Sequence, residues 1–296
     1  MIKSDKTPCL SWLFRTTRLL WVTLLFGILA ACGQDTAEVD KQSADQAKPS
    51  LSKVLEDHQA IPGLLTMYRN DKTGKGFLVI EASQLDKPFL YMATTVNGVL
   101  DAGHFKGFYR YSGLLEFRKY YDRIDIISKT PRYYFDPSNP ISKASDTNIS
   151  EAVLVSAKIE SEESGRYAIK LSDVFLNEKL HPIAPWPDDN PEVEKQRFKV
   201  GGLAEGSSRI LNIDNFPKNS HVVVDYVFNN PVPMVEGGKE ISDPRSVSIK
   251  LQHAFVELPD NDFVARRDDP RIGYFGQQFD DLTSDETANY RDVIDR

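Results

Sequence analysis

The sequence predicts a mainly β fold, built of antiparallel sandwich or barrel-like modules with few short helices. Three observations predict it. Short segments of alternating apolar and polar residues recur along the chain, turn-forming Gly, Pro, Asn and Asp separate them, and sustained 3.6-residue periodicity is missing. Such grammar belongs to antiparallel sheets closed on a shared core.

The N-terminus reads as a targeting segment. Lys3, Lys6, Arg15 and Arg18 form a basic region ahead of an apolar run from Leu19 to Ala31. That run is shorter than the roughly 20 residues a membrane span needs. It ends in Leu29, Ala30, Ala31 and Cys32, small residues before a cysteine that resemble a bacterial lipobox. Residues 1–31 are therefore expected to be a lipoprotein signal peptide, with Cys32 carrying lipid after cleavage. Gly33, in place of an aspartate, favours an outer-membrane anchor within the cell envelope, facing periplasm or surface.

Cleavage would also remove Cys9, so the mature chain is expected to hold no disulfide and no thiol site. Residues 1–31 hold four basic and one acidic residue, so their loss takes the net charge from −7 to −10. This acidity excludes nucleic acid as the main partner. Residues 32–55 are polar and expected to form a flexible tether, because they bury too little apolar surface to offset chain entropy.

A first β-rich module is expected over residues 56–140. Leu64 to Arg69 and Phe77 to Glu81 flank a turn-rich loop from Asn70 to Gly76 and predict a hairpin. Phe89 to Val96 predicts another strand. Gly98, Gly103, Gly107 and Gly113 follow, matching no phosphate-cradling motif, and predict a turning loop. Leu114 to Lys119 and Arg123 to Ser128 predict a second hairpin.

The Pro-, Ser- and Asn-rich stretch from Pro131 to Asn148 suggests a boundary, with a second β-rich module over residues 141–296. Ala152 to Ile159 and Tyr167 to Leu171 predict a third hairpin. Ser172 and Asp173 are candidate caps for a short helix through Lys179. Prolines between His181 and Pro191 enforce a loop. His221 to Phe228 and Val247 to Phe255 predict long strands, the second with Val247, Ile249, Leu251, His253 and Phe255 on a core face.

Catalytic chemistry finds little support in the motifs. His58, His104, His181, His221 and His253 lie far apart and lack HExxH spacing, so neither catalytic nor metal residues are assigned. No GxSxG elbow is present. The adjacent acids Asp188 and Asp189, and Asp280 and Asp281, read as solvated loops. Tyr109, Tyr111, Tyr120, Tyr121, Tyr133, Tyr134 and Phe135 suit half-buried strands. The same aromatics would suit a platform for glycan or peptide in a free-standing binding lipoprotein. Arg266, Arg267, Asp269 and Arg271 form a dense charge cluster, read either as a docking clamp or as a solvated turn.

One stretch looks familiar. Leu251 to Phe275, with Leu258 and Pro259, Arg266, Arg267, Asp269, Arg271 and the run Gly273, Tyr274, Phe275, resembles a signature in large bacterial zinc-dependent metalloproteases. The signature lies in their N-terminal, non-catalytic regions, catalogued as domains of unknown function. Asp71, Lys72, Thr73 and Gly74, and the run from Gln84 to Leu90, fit the same pattern. The resemblance implies a downstream domain with an HExxHxxGxxH zinc motif, which this chain stops before. It therefore implies zinc only in that domain and no cofactor here. The expected role is to support or dock a catalytic domain, with peptide or protein as substrate and the membrane reached through Cys32.

Overall fold

The computed structural model describes residues 48–145, 147, 149–260, 271, 276–283 and 290–294. Helix α1 (Leu51–Leu55) leads into strands β1 (Gln59–Ile61), β2 (Met67–Arg69) and β3 (Gly76–Glu81). Next come β4 (Pro88–Asn97), β5 (Tyr109–Tyr120), β6 (Arg123–Lys129), β7 (Tyr133–Tyr134), β8 (Ala152–Lys158), β9 (Ser161–Glu163) and β10 (Arg166–Lys170). Helices α2 (Leu171–Phe175) and α3 (Pro191–Gln196) precede β11 (Gly202–Leu203), β12 (Arg209–Phe216) and β13 (Asn219–Asn229). The order closes with β14 (Ser246–Glu257), β15 (Gly276–Asp281) and β16 (Tyr290–Ile294). The fold is mainly β, 44% strand against 12% helix, and its antiparallel sheets curl into a half-barrel.

Two sheets make the core. The larger runs β11-β13-β14-β4-β5-β6-β8, with β12 also paired to β13, and the smaller runs β1-β2-β3-β10-β9. Strand β14 lies near the middle of the larger sheet because its alternation leaves one wholly apolar face apart from His253. Val247, Ile249, Leu251, His253 and Phe255 are all buried, as their spacing predicts, while Ser248 is exposed. Against them, in one continuous core, lie Tyr91 of β4, Phe117 of β5, Tyr226 of β13, Phe175 of α2, and Leu78 and Ile80 of β3. Each such side chain contributes about 1.5–3 kcal/mol by leaving water. In a third, small sheet, β15 pairs antiparallel to β16 and parallel to β7.

Four expectations need correction. The tether does not extend to residue 55: Ser50 caps α1, and Leu51 is buried against Val79 and Ala168 on the outer face of the smaller sheet. Position 140 does not divide two sheets, because β8 pairs with β6, β10 with β3 and β14 with β4. The segments from Ala152 and Tyr167 form no hairpin with each other. After β8 the chain crosses between sheets at Ile159 and Glu160, and β10 pairs with β9 and β3 instead. Finally, α2 stops at Phe175 without a side-chain cap at its start, and Asn177 turns back onto the carbonyl of Asp173 at 2.8 Å.

Candidate functional site

The most deeply buried imidazole has a partner for each ring nitrogen. The imidazole of His253 lies between two phenols, with Nδ1 2.8 Å from Tyr91 and Nε2 2.7 Å from Tyr226. The Tyr226 hydroxyl donates its one proton to the Phe175 carbonyl at 2.7 Å. Its oxygen must therefore accept from His253, which fixes the proton on Nε2 and leaves Nδ1 to accept from Tyr91. A protonated imidazole would turn Nδ1 into a donor and strand the Tyr91 proton. Burial first, with His181 nearby, pushes the His253 pKa down to about 3.

His104 is held likewise, between Thr95 Oγ1 at 3.2 Å and the Ile183 carbonyl at 2.9 Å, and burial lowers its pKa. His181 stacks on Tyr111 with 5.9 Å between ring centres, and burial pushes its pKa down to about 4. These histidines order the interior, each serving one locality. Among the described residues, no three His, Cys, Asp or Glu side chains gather as a metal-binding group.

A charge network sits on the opposite side of β5. Arg118 bonds Glu116 at 2.5 Å and Glu151 at 2.8 Å, and Lys129 pairs with both carboxylates. Arg118, then Lys129, draws the Glu151 pKa down to about 2. Beside it opens a recess of about 620 Å³ lined by Tyr133 and Phe135.

The aromatics weighed as a platform are not brought together. Tyr109 and Tyr120 stand at opposite ends of the twelve-residue β5, roughly 36 Å apart at the rise of an extended strand. Tyr120 meets Tyr121 edge-on at the β5–β6 turn, and Tyr134 meets Phe279. Of the paired acids, Asp188 contacts Arg197 at 3.5 Å, whereas Asp280 and Asp281 are not a solvated loop but the end of strand β15, where Asp281 is buried and accepts from Thr283. Arg271 is exposed, while Cys32, Arg266, Arg267 and Asp269 lie outside the described residues.

The feature that sequence reasoning did not single out is a cleft of about 820 Å³ between the β2–β3 hairpin, α2 and the start of β12. Its apolar wall includes Phe77, Leu171, Leu176 and Ile210, and its charged lining is Arg69, Lys75, Lys170 and Arg209 against the single acid Glu160. The hairpin loop is rigidly built. The Asn70 side-chain oxygen accepts from the Lys72 and Thr73 amides, both at 3.0 Å, and Gly74 supplies a positive φ of 70°. A Cβ on Gly76 would lie 2.1 Å from the Tyr68 carbonyl, so only glycine lets β2 and β3 close here.

The four cations are spent unequally. Lys170 is neutralised by Glu160 at 2.7 Å, which raises its pKa, and Arg209 by Asp225 at 3.1 Å. Among the described residues Arg69 bonds neutral carbonyls alone, Ile210 at 3.1 Å and Leu211 at 3.3 Å, so no carboxylate there compensates its charge. Lys75 forms no ion pair among the described residues. A second recess of about 610 Å³ shares Ser172 and Leu176 with the cleft and adds the cations Arg123, Lys158 and Lys179 and the acids Asp173 and Glu205. No sequence motif announces this arrangement, because its members come from positions as far apart as 69 and 209.

A family model described as a domain of unknown function, DUF5117, matches residues 110–296. No curated protein and no solved structure matches the chain.

Proposed function

We propose, for a chain that belongs to the DUF5117 family, the role of a lipid-anchored, non-catalytic portion of a zinc metalloprotease-like protein that supports or docks a catalytic domain. Cys32 is the lipid attachment point, the cell envelope the location, and a peptide or protein the substrate served. The observation that carries the reading is the run from Leu251 to Phe275 and its resemblance to the non-catalytic half of such proteases. Its described part, β14, holds the middle of the larger sheet, with Phe255 and His253 committed to the core. The charged residues beyond it, Arg266, Arg267, Asp269 and Arg271, are then the surface offered to a neighbour.

The test is co-purification. The full-length chain is expressed with the product of whichever neighbouring reading frame encodes HExxHxxGxxH, and capture is measured for Arg271→Ala beside the parent. Co-purification that falls several-fold in Arg271→Ala, with an unchanged thermal midpoint, is the expected result. Equal capture by both removes Arg271 from the interface, and no capture by either removes the docking role. Palmitate labelling that persists in Cys32→Ser would exclude the lipid site.

A further inference from the structure

We propose that the cleft between the β2–β3 hairpin and β12 binds an acidic, extended peptide. The first support is charge. The whole chain carries −7, yet four of the five charged side chains lining the cleft are cations. A surface acidic on average attracts cations, so a concentration of positive charge against that background selects an anionic partner.

The unspent charges say more about the partner. Lys170 and Arg209 face carboxylates of this chain, so their removal from the balance leaves Arg69 and Lys75 beside an apolar wall. The His58 ring lines the same space, edge-on to Phe77 at 5.1 Å, and its Nδ1 is buried with no hydrogen-bond partner. A buried polar atom without a partner is costly unless a bound group satisfies it. A ligand matching this lining presents carboxylates to Arg69 and Lys75 and an apolar side chain to Phe77 and Leu171.

Shape selects a peptide over a small dicarboxylate. The adjoining recess continues past Ser172 and Leu176 toward Arg123, Lys158 and Lys179, three cations against the acids Asp173 and Glu205, and neither lysine is ion-paired among the described residues. One small anion at Arg69 and Lys75 would leave Lys158 and Lys179 idle. An extended chain with acids spaced along it engages both. The two proposals name different residues and are read by different experiments, so they fail separately.

The experiment uses the full-length chain in detergent and fluorescein-labelled eight-residue peptides that alternate Glu with Leu or Lys with Leu, read by anisotropy. The Glu peptide is expected to bind at micromolar concentration, to weaken with added salt, and to outbind the Lys peptide by more than tenfold. Lys75→Glu is expected to weaken it about tenfold, Lys158→Glu about threefold, and Lys106→Glu, on the β4–β5 loop, not at all. Variants are compared at equal thermal midpoints.

Three outcomes overturn the proposal. Equal binding of both peptides, or none, removes the charge selection. Binding indifferent to Lys75→Glu places the peptide elsewhere. Displacement by succinate at equal affinity, with Lys158→Glu silent, makes this a small-anion site and not a peptide cleft.

Discussion

The core around His253 and the cleft around Lys75 use polar side chains in opposite ways. Inside, a chain of bonds runs from Tyr91 through His253 and Tyr226 to the Phe175 carbonyl, with each donor matched to an acceptor. In the cleft, Arg69 and Lys75 keep charges that no carboxylate among the described residues neutralises. Buried polar networks must close because an unmatched group in low dielectric costs stability, whereas a charge at a water-filled cleft costs little to leave open. The closed network therefore serves the fold, and the open one is available for a ligand.

The largest expected effect breaks the closed network. Tyr226→Phe removes a single oxygen, yet it orphans both the His253 Nε2 proton and the Phe175 carbonyl. The expected loss is about 1–3 kcal/mol in denaturant unfolding. A double-mutant cycle with Tyr91→Phe should show coupling, since both act through one imidazole. Additive losses would mean that the three groups are not one network.

The next effect is read through pH. His253 has its pKa pushed down to about 3 in the folded chain, and His181 to about 4, against an ordinary value of 6.5. Below 6.5 the unfolded chain takes up protons that the folded chain refuses, so stability falls as pH falls from 6.5 toward 3. The slope is at most about 1.4 kcal/mol per pH unit for each histidine. Between pH 6.5 and 5 most carboxylates, whose own windows open lower, are silent. His253→Gln should flatten that interval of the stability curve, and an unchanged slope would assign the acid sensitivity elsewhere.

How much of this was legible depends on where the period-two rule holds. Val247 to Phe255 announces both its strand and its buried face, because alternation and burial coincide from Val247 to His253, and Ala254 alone is buried on the other face. Arg209 to Phe216 escapes the same rule, since a register shift between Ile210 and Asn212 breaks the alternation as the strand pairs with β13. The false hairpin after Ala152 has the right strands and the right spacing. What redirects it is the crossing at Ile159, whose amide bonds the Asp122 carbonyl at 2.8 Å, a partner outside any local window. Leu51 looks like one apolar residue in a polar stretch until Val79 and Ala168 meet it.

The cleft lay beyond reach for a related reason. Lys75, Lys170 and Arg209 have no common spacing, and each looks alone like an ordinary solvated cation. Only the pairing of β10 with β3, and the return of β12 beside them, sets the three around one space.

The smallest effect is the sharpest for the comparison. Lys75→Ala should change folding stability by less than about 0.5 kcal/mol, because its ammonium neither fills the core nor pairs with an acid among the described residues. Lys170→Ala, which breaks a partly exposed pair with Glu160, should cost somewhat more, up to about 1 kcal/mol. If Lys75→Ala destabilises the chain as much as Lys170→Ala does, Lys75 is holding the hairpin and is not in reserve for a ligand. If it is silent in unfolding yet Lys75→Glu weakens peptide binding about tenfold, the charge at that position is kept for recognition alone.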